Sequence, residues 1–115
     1  MVEIYGIPNC DTIKKARKWL IEHDIEYQFH DYKKEGADSV LLKQWSETEG
    51  WETLLNRRGT TWRKLPEDVK AGVDESSSIQ LMVDNPSMIK RPVLITDGEV
   101  TVGFSETVYQ ELFSA

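Results

Sequence analysis

Near its start the chain changes hydrophobic period twice in quick succession, and that change restricts the folds open to it more than any other feature. Val2, Ile4 and the adjoining Tyr5 read as a short strand closed by Gly6 and Pro8. From Thr12 to about His23 the period lengthens: Ile13, Ala16, Leu20 and Ile21 fall at i, i+3, i+7 and i+8, one face of an amphipathic helix. Ile25, Tyr27 and Phe29 then alternate with Glu26, Gln28 and His30, the period of a strand. Strand, helix and strand within about thirty residues make a βαβ unit, which predicts parallel strands and a right-handed crossover.

The rest of the chain decides what that unit belongs to. After the polar Lys33–Asp38 segment, Leu41, Leu42 and Trp45 predict a helix ending near Gly50, and Trp51, Leu54 and Leu55 predict a further short turn or helix. Ser76 to Ser78 can cap a helix carrying Ile79, Met82 and Val83, which must stop before Pro86. Strands return with Val93-Leu94-Ile95, then Asp97-Gly98, then Val100 and Val102. Asp-Gly between apolar strands signals a type I′ hairpin, whose two central residues both need positive φ. Ser105 caps a last helix bearing Val108, Tyr109, Leu112 and Phe113. The order βαβ–helices–ββα with a mixed sheet predicts the α/β class and a thioredoxin-like fold with a helical insertion. The expected organisation is one domain over 1–115, with 1–35 and 86–115 as the thioredoxin-like part and 36–85 as the insertion.

Composition narrows the function. A chain of 115 residues has room for one core, and its 4 Trp, 4 Tyr and 3 Phe argue against disorder. The 14 basic against 20 acidic residues leave a net charge of −6, which speaks against nonspecific binding to DNA, RNA or anionic lipid. No apolar run exceeds three residues, so no membrane span is expected. The opening MVEIYG lacks a basic region followed by a long apolar stretch, so a cytoplasmic location is expected. The one cysteine can form no internal disulfide, and neither histidine stands at metal-binding spacing from it; no metal is expected.

That cysteine, Cys10, falls where the turn after the first strand meets the first helix, flanked by the polar Asn9, Asp11 and Thr12. A sulfur there faces unpaired N–H groups and the positive end of the helix dipole, an environment that favours thiolate. Lys14, Lys15 and Arg17 add positive charge in the first two helical turns, consistent with stabilising an anion at that end. On the bland reading the lysines are a solvated face and the cysteine a small apolar residue. A second constellation, Arg57 to Lys64, carries four basic and no acidic residues, and its Gly and Thr residues suggest an exposed loop. A third, Asn85-Pro86-Ser87-Met88-Ile89-Lys90-Arg91-Pro92, delivers Arg91 to a strand start. Pro92 lacks a ladder N–H and belongs at that start; a cis Arg91–Pro92 bond is expected in this fold. Arginine's planar fork suits a carboxylate or oxyanion.

Together, Tyr5-Gly6-Ile7-Pro8-Asn9-Cys10-Asp11-Thr12-Ile13-Lys14-Lys15-Ala16-Arg17, the Arg57–Leu65 segment and Asn85–Leu94 resemble the ArsC/Spx/YffB family, the YffB branch most closely. The resemblance covers essentially the whole chain. In the family's arsenate reductases one cysteine attacks arsenate, three arginines hold the oxyanion, and glutathione and glutaredoxin resolve the adduct. By resemblance Cys10 matches the nucleophile, Arg91 one arginine, and Arg57 or Arg58 the second; the third position is Gly103. The family's transcriptional regulators use a CxxC pair, where this chain has Ile13 in place of the second cysteine.

The resemblance thus implies a one-cysteine thiol site. The expected function is that of a glutathione-dependent thiol reductase or transferase. Cys10 would form a mixed disulfide, Thr12 and nearby backbone N–H groups would stabilise the thiolate, and Arg91 with Arg57 or Arg58 would hold a carboxylate. No cofactor is expected to be bound; glutathione is the expected co-substrate, alongside a small thiol or disulfide, with glutaredoxin as a candidate protein partner. A monomer with no direct nucleic-acid or membrane contact is expected. Two alternatives are a redox-sensing regulatory protein that docks on a macromolecule and a weak arsenate reductase.

Overall fold

In a computed structural model describing residues 2–114, the first strand, β1, runs Val2–Gly6, with Ile4 and Gly6 buried on alternate positions. The helix α1, Asp11–Glu22, buries Ile13, Ala16, Trp19 and Leu20. Ile21, expected on that face, is 64% exposed, and Trp19 takes its place. At about 100° per residue, Ile21 points to the opposite side of Ile13 from Trp19, so the apolar stripe turns towards the larger ring. The second strand, β2, is Tyr27–Asp31 and starts later than Ile25. The reversal after α1 uses the intervening residues, with Asp24 at φ 56° and the Ile25 N–H donating to the Leu20 carbonyl at 2.9 Å.

The chain separates into two compact units, one holding residues up to Asp31 and from Arg91 onward, the other Tyr32–Lys90. These borders lie a few residues from the 35/36 and 85/86 limits drawn from sequence patterning.

In the first unit the later elements are β3 (Val93–Thr96), β4 (Glu99–Val102) and a C-terminal helix over Glu106–Phe113. The four strands stand in the order β2-β1-β3-β4; β1 is parallel to β2 and antiparallel to β3, and β3 and β4 form the hairpin. Asp97 and Gly98 have φ of 48° and 81°, the two positive values the type I′ turn requires. Ser105 caps the last helix by accepting from the Val108 N–H at 3.4 Å. Ile4 and Leu94, paired in register, bury one sheet face against Ala16, Trp19, Leu20 and Tyr109. Tyr109 meets Trp19 and Phe104 edge-on, at 5.6 and 4.8 Å between ring centres. The sheet is mixed and the layering is thioredoxin-like, as the alternation of periods predicts.

The second unit is helical: α2 (Tyr32–Glu35), α3 (Ser39–Glu49), α4 (Trp51–Leu54), α5 (Thr60–Arg63), α6 (Glu67–Ala71) and α7 (Glu75–Asp84), followed by a 3-10 turn at Pro86–Met88; the C-terminal helix of the first unit is therefore α8. Tyr32, Leu42, Trp45, Leu54, Leu55, Met82, Met88 and Ile89 are its buried core residues. The Leu55–Ile89 bridge ties residues after α4 to residues after the 3-10 turn, with Asn56 N–H to Met88 carbonyl and Lys90 N–H to Leu54 carbonyl both at 2.7 Å. Two expectations are corrected. Asp74, not the serines, caps α7, in a capping box with Ser77 that holds its carboxyl below the ordinary value. The 57–64 segment is not all loop: Gly59 leads directly into a single helical turn, α5, too short to leave a periodic signature.

Candidate functional site

The sheet unit and the helical unit each present part of what the sequence pointed to. In the sheet unit, Cys10 is the N-cap residue of α1, with extended backbone (φ −105°, ψ 128°) and its carbonyl accepting from the Lys14 N–H at 3.0 Å. Its side chain makes no capping hydrogen bond. An N-cap serine, threonine or aspartate would satisfy the first-turn amides. Cys10 stands in that place without supplying such a cap. The residue is half-buried, as is Thr12 in the first turn.

The position of α1 on β1 depends on Gly6. A Cβ there would overlap the side chain of Ile13, which is itself fully buried. Glycine therefore lets the first turn of the helix, and Cys10 with it, lie close over the strand end. The charges near Cys10 differ from the expected trio. Arg17 turns to β2: its Nε donates to the Tyr27 hydroxyl at 3.0 Å and its guanidinium lies 4.4 Å from the Phe29 ring centre. Lys14 and Lys15 remain exposed.

Arg91 and Pro92 precede β3. The register pairs Tyr5 with Val93, so the entry to β3 lies beside the exit from β1, the end of the sheet from which the chain runs on to Cys10. The Arg91–Pro92 peptide is cis, Pro92 is buried and Arg91 half-buried. The Pro92 carbonyl accepts from the Gly103 N–H at 2.8 Å. Gly103, where the resemblance implies a third arginine, has φ 86°, a conformation that side-chain-bearing residues adopt at a cost of about 1–2 kcal/mol. The backbone here is shaped for glycine, not for a guanidinium.

In the helical unit Arg57 and Arg58 line a cleft of about 310 Å³ with Glu52, Leu55, Asn56 and Lys90. Three cations face one carboxylate in a chain whose net charge is −6. The Asn56 Oδ1 accepts from the Arg58 N–H at 3.0 Å and shapes the turn. The Arg57 guanidinium lies 5.5 Å from the Trp51 ring centre and 5.7 Å from that of Trp62. This aromatic pairing is absent from the sequence reading, because the three residues follow no helical or strand period. Two tryptophans bracketing an Arg-Arg pair within a dozen residues was the available signal. Among the described residues no group of three His, Cys, Asp or Glu side chains could hold a metal ion, and no helix is long and apolar enough to cross a membrane.

A mixed sheet with α1 and α8 on one face gives a thioredoxin-like fold, with Cys10 at the N-cap position of α1. Residues 5–112 match the ArsC family, and the chain belongs to that family. It is 51% identical to the solved structure of a YffB protein, with a TM-score of 0.95 and coverage of 99% of this chain and 100% of that one. An arsenate reductase-related protein from Brucella melitensis is 57% identical, with a TM-score of 0.79 over 99% of this chain and 95% of its own. The global transcriptional regulator Spx of Streptococcus pyogenes is 32% identical over 108 residues, covering 92% of this chain and 80% of that one.

Proposed function

We propose that this chain is a glutathione-dependent monothiol reductase or transferase with Cys10 as its nucleophile. The observation that carries this is the place of Cys10, at the head of α1 with its sulfur not used for capping. The Cys10 thiolate attacks one sulfur of a glutathione mixed disulfide. A new S–S bond to the glutathionyl sulfur forms as the old one breaks, and the substrate leaves as a thiolate that takes a proton from solvent. A second glutathione thiolate then attacks the glutathionyl sulfur on Cys10. It releases oxidised glutathione and regenerates the cysteine, so each turnover oxidises one reduced glutathione, joins it to the glutathionyl group drawn from the mixed disulfide, and frees one substrate thiol. Thr12 and the first-turn amides steady the thiolate, and Arg91 takes a carboxylate. The basic cleft of the helical unit, taken by itself, suits a carboxylate.

Turnover of a glutathionylated peptide, followed by release of oxidised glutathione, tests this. Cys10→Ser is expected to lose all detectable turnover; full activity in that variant removes the mechanism. The similarity to Spx favours a second reading, in which the chain docks on a macromolecule and Cys10 acts as a glutathionylated sensor. Ile13 stands where a resolving cysteine would be, so such a switch would form no disulfide within the chain. Absence of any stoichiometric partner in a pulldown counts against it. Arsenate reduction is the weaker alternative, because Gly103 supplies no third guanidinium.

A further inference from the structure

We infer that Trp51 and Trp62 are positioning residues for Arg57, and that Arg57 rather than Arg58 is the bidentate carboxylate reader of the cleft. A guanidinium has two kinds of surface. Its faces are attracted to aromatic rings, and its edge carries five N–H donors in a fixed fork. Arg57 has a tryptophan ring within 6 Å from each of two elements: Trp51 opens α4, and Trp62 sits within α5. These contacts occupy the cation's surroundings without using a single N–H, since neither ring is an acceptor of the ordinary kind. The donors stay available to the cleft that Arg57 lines.

The arrangement acts on entropy. A free arginine side chain loses much of its rotamer freedom when it is fixed on a ligand. Here two rings hold the group before the ligand arrives, so part of that loss is already met. Both rings are themselves half-buried rather than swinging in solvent. Arg58 has no such ring contact among those described; its backbone N–H is taken by Asn56, and its exposed side chain contributes charge rather than geometry. Lys90, on the segment paired to Leu54–Asn56, adds a second diffuse charge. The ligand chemistry that fits is a planar carboxylate with a further negative charge nearby, and the proposal rests on the glutathione reading above for its source.

The test is calorimetric titration of the full chain with S-methylglutathione, which cannot exchange disulfides, and separately with glutarate. Trp62→Leu is expected to weaken binding about fivefold to tenfold, the size of one cation–π contact with its preorganisation, and Trp62→Phe to restore it to within about twofold. Arg57→Lys, an exposed position with little folding risk, is expected to weaken binding as much as Trp62→Leu. The two together should cost no more than either alone, whereas Trp62→Leu and Arg58→Lys should add. Equal affinity of parent and Trp62→Leu, or additivity of Trp62→Leu with Arg57→Lys, overturns the clamp and leaves the glutathione reading standing. Binding of glutarate but not S-methylglutathione, with the same Trp62 dependence, upholds the clamp and removes glutathione as the ligand. Failure of both to bind overturns both.

Discussion

Tyr109 carries the clearest energetic statement made by a single side chain. It is fully buried against Trp19 and Phe104, and its hydroxyl has no hydrogen-bond partner among the described residues. Burial pushes its ionisation well up from the ordinary value of 10.0. The folded chain therefore keeps a neutral phenol where the unfolded chain releases a proton. Because the folded value is the higher, the stabilising difference is intact below about pH 10 and is lost as pH rises beyond it. Tyr109→Phe removes an unpaired buried hydroxyl. It is expected to raise stability at neutral pH by about 1 kcal/mol, and the gain over the parent should grow above about pH 10. Urea unfolding at neutral and alkaline pH measures both, and a variant less stable than the parent at neutral pH shows the hydroxyl to be paired. Gly103 makes the complementary point: its φ of 86° is one that glycine adopts at least cost, and it carries no side chain where the resemblance implies an arginine.

At the scale of elements, α1 and β1 set the reactive end of the sheet unit, and Gly6 sets their spacing. Gly6→Ala forces a methyl group into Ile13, whose side chain is fully buried, so either the helix lifts or the core shifts. The expected cost is about 1–3 kcal/mol, read by thermal or urea unfolding; an unchanged midpoint would show that Ile13 gives way freely. The strands and α1 were legible because period and turn chemistry agree there. Alternating residues mark β2, Asp97-Gly98 marks the hairpin, and Ser105 marks the start of α8. Of the short helices, α4 was legible from the apolar Trp51, Leu54 and Leu55, whereas α2, α5 and α6 were not, since four or five residues do not repeat a 3.6-residue period and α5 and α6 bury no residue. The capping role of Asp74 was hidden by three serines that satisfy the same preference two to four residues later.

For the whole molecule, the thioredoxin-like unit is assembled from the two ends of the chain, and a helical unit occupies the middle. The candidate residues were visible as residue types in each unit, Cys10 and Arg91 in one and the Arg57–Arg58 pair in the other. What the sequence could not supply was the company each keeps. Arg17 joins Tyr27 and Phe29 instead of the cysteine, and Arg57 lies within reach of two tryptophan rings. Side-chain direction depends on packing that no local pattern records. Membership of the ArsC family accounts for the shared fold. The central claim is that Cys10 reacts with glutathione disulfide in the folded protein. Intact-mass measurement after exposure of the native chain to oxidised glutathione tests it most directly. The account predicts one glutathionyl adduct, confined to Cys10, absent from Cys10→Ser and released by added reduced glutathione. A chain that stays unmodified when folded and takes up the adduct only in denaturant would contradict it.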